Sequence, residues 1–93
     1  MRSITSRFGV VPSTDDVEWL AKKYVDAGAV PLAYSEDAYH IALAVLADAD
    51  FLLSWNFRHI VNFRRIPLYN AVNAINGYRQ IAICSPLEVV ENE

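Results

Sequence analysis

The chain reads as an α/β domain in a three-layer α/β/α arrangement around a short, mainly parallel sheet, and three observations carry that expectation. Stretches with apolar residues at intervals of three and four are bracketed by helix-start and helix-stop residues. The apolar run "DFLLS" follows a small, apolar helix after the turn "DAD", as in one half of a parallel crossover. The order strand, helix, helix, strand, helix, strand is that of an α/β domain. Strands are expected near residues 8–11, 51–54 and 80–84, and helices near 14–27, 36–47 and 65–76.

The first strand is expected in "RFGVVP", where Phe8, Val10 and Val11 stop at Pro12. Ser13 or Thr14 then caps a helix with Asp15 and Asp16 in its first turn and Gly28 as its stop. Val17, Leu20, Ala21, Tyr24 and Val25 form its buried stripe, and Lys22 and Lys23 face water. "AVPLAY" connects to a second helix that starts after Ser35, with Glu36 and Asp37 at its positive end, and runs to about Ala47. Its small apolar residues, among them Ala38, Ile41, Ala42 and Ala44, call for close packing against a sheet. Asp48 and Asp50 fall in a solvated turn, and "DFLLS" is expected to be buried on both faces. "RRIPLYNAVNAINGY" reads as a helix interrupted near its start by Pro67 and stopped by Asn76 and Gly77, and "QIAIC" as the last strand.

A chain of 93 residues allows one domain, and 54% hydrophobic residues with no repeat or low-complexity stretch exclude a disordered chain. The net charge of −3 and pI of about 5.2 give no basic footprint, so any nucleic-acid contact is local or bridged by metal. Cys84, alone in the sequence, cannot form a disulfide within the chain; it reads as a buried thiol and fits a reducing, cytoplasmic setting. The N-terminus lacks the apolar core of a signal peptide, and no apolar stretch reaches the ~18 residues of a membrane span, so a soluble protein without membrane partners is expected. Zinc-ligand spacing, a glycine-rich phosphate loop and a serine nucleophile elbow are all absent from the sequence.

Ligands of α/β sheets gather at the C-terminal ends of the strands, which directs attention to Ser54–Asn56. Asn56 could complete a metal shell through water or meet a phosphate oxygen, with Arg58 and His59 beside it to pair with phosphate. Alternatively, "NFRHIVN" is a capped turn with solvent-facing polar groups. Asp37 and His40 share one helical face. Asp37 is either a metal ligand or an exposed acid that stabilises the helix start, whereas His40 reads as a hydrogen-bonded core residue. Glu88, Glu91 and Glu93 read as surface charge.

The segments "SEDAYHIALAVLADADFLLSWNFRHIVN" and "INGYRQIAICSPLEVV" resemble the C-terminal part of a PIN domain, the metal-dependent nuclease fold found in the toxin half of many bacterial toxin–antitoxin pairs. The likeness runs from about Val10 to Val90. It implies Mg²⁺ or Mn²⁺ held by acidic residues and a metal-activated water that attacks an RNA phosphodiester. It also implies an antitoxin partner, Asp37 and Asn56 as catalytic residues with Asp37 a metal ligand, and Arg58 and His59 near the substrate phosphate. Two departures stand against this. Asn56 is a neutral amide where many members carry Asp, and the family's first strand, with its catalytic Asp, and its helix-borne Glu would precede the point where this chain starts. Of the acidic cluster only Asp37 is clearly retained, a poor site for a hard cation. A PIN-like chain shortened in this way would leave open strand edges, which predicts a homo-oligomer, in the first instance a dimer. Two functions follow as expectations: a PIN-type ribonuclease, or a non-catalytic truncated relative acting in oligomerisation or partner binding. Under the first, Asp37→Ala would abolish metal-dependent cleavage at a cost of at most ~1 kcal/mol in stability.

Overall fold

The computed structural model describes residues 12–87. Helix α1 spans Thr14–Asp26, a 3₁₀ turn Leu32–Tyr34 leads into α2 (Ser35–Leu46), strand β1 is Phe51–Leu53, α3 is Ile66–Ile75 and β2 is Ala82–Cys84. The mixed α/β reading holds. The strand expected near residues 8–11 lies outside the described residues, and the sheet they form is a parallel pair in the register Phe51↔Ala82, Leu52↔Ile83, Leu53↔Cys84. Ser54 N–H donates to the Cys84 carbonyl at 3.1 Å and extends the pairing by one bond.

The starts of α1 and α3 and the ends of all three helices have local chemical causes. The Ser13 hydroxyl accepts the Asp16 N–H at 3.1 Å, satisfying one of the unpaired donors at the start of α1. Pro67 lies in the first turn of α3, where its missing N–H costs nothing, so it starts that helix and does not interrupt it. All three helices close with the same paired reverse bonds. In α1 the N–H of Gly28 reaches Val25 and that of Ala29 reaches Tyr24. In α2, Asp48 bonds to Val45 and Ala49 to Ala44; in α3, Gly77 bonds to Ala74 and Tyr78 to Asn73. This Schellman arrangement needs a left-handed residue, supplied by Gly28 (φ 79°), Gly77 (φ 82°) and, without a glycine, Asp48 (φ 61°).

The predicted stripe of α1 is the centre of the core. Val17, Leu20, Ala21 and Tyr24 are buried against Ala38, Ile41, Ala42 and Ala44 of α2, whose small side chains let the two helices approach closely. Leu52, Ile60, Tyr69, Val72, Ile81 and Ile83 complete it. Four expectations are corrected. β1 is not buried on both faces: Leu52 is buried, but Phe51 is 47% exposed, and its ladder partner Ala82 is exposed too, so no described helix covers that corner of the sheet. His40 is exposed, although Ile41 and Ala42 beside it in the same turn of α2 are buried. Cys84 is half-buried at the end of β2. Lys23 is half-buried, its ammonium 5.0 Å from the Trp19 ring centre. Among the described residues no helix is long and apolar enough to cross a membrane.

Candidate functional site

The parallel crossover brings the first turn of α2 against the loop that leaves β1, and this joins the two sequence motifs. Asn56 Nδ2 donates to one carboxylate oxygen of Asp37 at 3.1 Å, and His59 Nδ1 lies 2.9 Å from the other. A carboxylate only accepts, so in this pairing Nδ1 carries the proton. The other end of the Asn56 amide is also occupied: Oδ1 accepts the backbone N–H groups of Arg58 (3.2 Å) and His59 (3.0 Å). The Ile60 and Val61 N–H groups return to the Asn56 carbonyl. Asn56 is thus a turn-forming residue whose spare amide hydrogen clamps the loop to α2.

His59 is buried, at 4% exposure, under the Tyr34 ring, with centroids 4.4 Å apart. Its carbonyl accepts the Tyr69 hydroxyl at 2.5 Å. From Tyr69 the polar chain continues through the core. The Tyr69 ring stands edge-on to Tyr24 at 5.2 Å, the Tyr24 hydroxyl donates to Asn73, and Asn73 Nδ2 donates to Asn70 at 3.2 Å. Asn70 then brackets Ile81, accepting its N–H at 2.7 Å and donating to its carbonyl at 3.0 Å. Burial pushes the Tyr69 phenol up to about 12, with Asp37 adding to the shift and Arg65 opposing it. Burial raises Tyr24 further still, against the effect of its Asn73 hydrogen bond. Both phenols are therefore neutral donors at physiological pH.

The structure places each residue of the predicted set. Asp37 is not an exposed helix-start acid: its side chain is 17% exposed and both oxygens are engaged. His59, expected at a phosphate, has its ring in the interior and Nδ1 turned to Asp37. Arg58 is the one member of the predicted set that is exposed, its guanidinium 6.0 Å from the Tyr34 ring centre. Asn56 and Asp37 meet as hydrogen-bond partners.

Mg²⁺ and Mn²⁺ ask for several oxygen ligands, preferably charged. Here one carboxylate is present with both oxygens held by protein donors, the neighbouring amide oxygen holds two N–H groups, and the nearest imidazole nitrogen is protonated. Among the described residues no group of three His, Cys, Asp or Glu could hold a metal ion. The residues described do not fit the cation. Sequence reasoning missed Tyr34, Tyr69, Asn70 and Asn73; for the two asparagines the available signal was their spacing of three on the otherwise apolar helix α3. No family model matches the chain, and no curated protein or solved structure matches it.

Proposed function

We propose that the chain is a PIN-like α/β module, related to the metal-dependent ribonucleases of toxin–antitoxin systems, in which the Asp37 centre serves as a structural node and the module acts by associating with protein. The relationship is supported by the helix-head Asp and the post-strand Asn meeting at the end of a parallel strand. The single observation that carries the non-catalytic reading is the engagement of both Asp37 oxygens by Asn56 and His59. A carboxylate in that state ties the loop 54–62 to α2 through both of its oxygens.

The experiment is an RNA cleavage assay with end-labelled single-stranded and hairpin RNA, in Mg²⁺ and separately in Mn²⁺. The expected result is intact RNA with both ions and no change on Asp37→Asn. Metal-dependent cleavage by the wild-type chain that disappears in Asp37→Asn would overturn the structural reading and reinstate the nuclease. That second reading is favoured by one observation, the position of Asp37, Asn56 and the exposed Arg58 at the carboxyl end of β1, where α/β folds bind their ligands.

A further inference from the structure

Charge is segregated along the chain. All eleven acids lie outside residues 51–87, a stretch that contains four arginines; it therefore carries +4, against −7 for the rest. Two of these arginines have structural partners: Arg79 pairs with Asp48 at 2.6 Å, and Arg65 donates to the Ala29 carbonyl at 2.8 Å. Arg58 and Arg64 are exposed, and they sit among large exposed aromatics, Trp55 at 61%, Phe57 at 51% and Phe63 at 83%. Trp, aromatic and Arg side chains clustered at a surface are the composition of a protein-binding hot spot.

The acidic half presents the counterpart. Between α1 and the start of α2 lies an open groove of about 690 Å³, with Val25, Leu32 and Tyr39 among its apolar lining. Its charged lining residues are Glu18, Lys22, Asp26 and Glu36. Lys22 is paired with Asp26 at 3.0 Å, so Glu18 and Glu36 set the sign of the groove. Its apolar floor and negative rim match a segment with aromatic side chains flanked by arginine, which is what residues 55–64 of the same chain offer.

The two surfaces adjoin. Arg58 lies over Tyr34, which is two residues from Leu32 and two from Glu36, and Arg65 ties the far end of the loop to Ala29, three residues from Leu32. The connection 29–34 therefore separates the arginine loop from the groove. Leu32 and Tyr34 are 75% and 44% exposed, and a two-fold axis passing near them would set the loop of each copy in the groove of the other. We infer that the chain forms a two-fold dimer in which the Arg58–Arg64 aromatic loop of one copy occupies the Glu18–Glu36 groove of its partner. Single-stranded RNA could stack on the aromatics, but it would bring phosphates against the carboxylates of the adjoining groove, so a second copy fits both halves of the face where RNA fits one.

The inference rests on the reading of the chain as an associating module, and charge reversal tests it separately from the cleavage assay. In sedimentation velocity at micromolar concentration the wild-type chain is expected at twice its 10.5 kDa mass. Glu18→Arg with Glu36→Arg makes both surfaces positive, and Arg58→Glu with Arg64→Glu makes both negative. Each double variant is expected to dissociate at least about tenfold more readily than wild type. Mixed together, they are expected to form a one-to-one heterodimer, which also shows that both are folded. A monomeric wild type, double variants that remain dimeric, or a mixture that fails to reassociate would each overturn the proposal. A monomeric wild type that binds a single-stranded RNA through Arg58 and Arg64 would overturn it and assign the loop to nucleic acid. RNA cleavage by a dimer would leave the interface standing and remove the non-catalytic reading alone.

Discussion

Asp37 shows how far a residue's role depends on what surrounds it. As an exposed first-turn acid it would contribute at most ~1 kcal/mol through the helix dipole. As the acceptor for Asn56 and for a buried His59 it does more, since its removal leaves two donors without a partner. Asp37→Ala is expected to lower the unfolding free energy by roughly 2–3 kcal/mol in urea titrations, and Asp37→Asn, which keeps one acceptor, by less. A loss below about 0.5 kcal/mol for Asp37→Ala would return the residue to the surface role. Tyr69 gives a second prediction. Its native value of about 12 lies above the ordinary 10.0, so the folded state favours the neutral phenol. That contribution is complete below pH 10 and is lost as the pH rises from 10 towards 12. Phenolate absorbance and loss of near-ultraviolet dichroism should rise together in that window, and Tyr69→Phe should make the alkaline decline less steep. Of this site, the sequence offered Asp37, Asn56, Arg58 and His59 as a set. It could not show which histidine is buried, because His40 and His59 both neighbour apolar residues and only the packing of the loop against Tyr34 separates them.

At the scale of elements, the helices were legible because caps and stops are local chemistry. Ser13, Gly28 and Gly77 each act within a few residues of their own position. The strands were legible in place but not in burial, since three apolar residues cannot reveal whether one face of a sheet or both are covered. Asp48 is the exception among the helix ends, a side-chain-bearing residue held at φ 61°. The left-handed conformation costs such a residue about 1 kcal/mol, and its exposed pair with Arg79 returns at most a similar amount. Asp48→Gly is therefore expected to leave stability unchanged or raise it by up to about 1 kcal/mol when measured with Arg79→Ala as background, where no ion pair is lost. Gly77→Ala, at the same position of α3, is expected to cost about 1 kcal/mol, read as a lower thermal midpoint.

For the whole molecule, the proposed dimer, joined by facing acidic and basic surfaces, would couple stability to concentration and to salt. The thermal midpoint should rise with protein concentration through mass action and fall as sodium chloride screens the exposed charges. A midpoint independent of both would mean that the acidic and basic halves face solvent separately. The charge division was present in the sequence, but its meaning was hidden by the net −3. Only the folded chain places the acid-free stretch beside the groove, through Arg58 over Tyr34 and Arg65 on Ala29.

Asn70 has a consequence for the rhythm with which this molecule opens. Its side chain holds both backbone groups of Ile81, one residue before β2, much as a neighbouring strand would. In a parallel strand the N–H and C=O of one residue point the same way, and alternate residues face opposite edges. Cys84 faces β1 through Ser54, so Ile81 faces outward to α3. Its amide proton should therefore exchange with deuterated solvent at the rate at which α3 lifts from the sheet, independent of fraying between β1 and β2. Asn70→Ala would convert that slow amide into a fast one while those of the ladder keep their protection, giving an isotopic clock for a single motion.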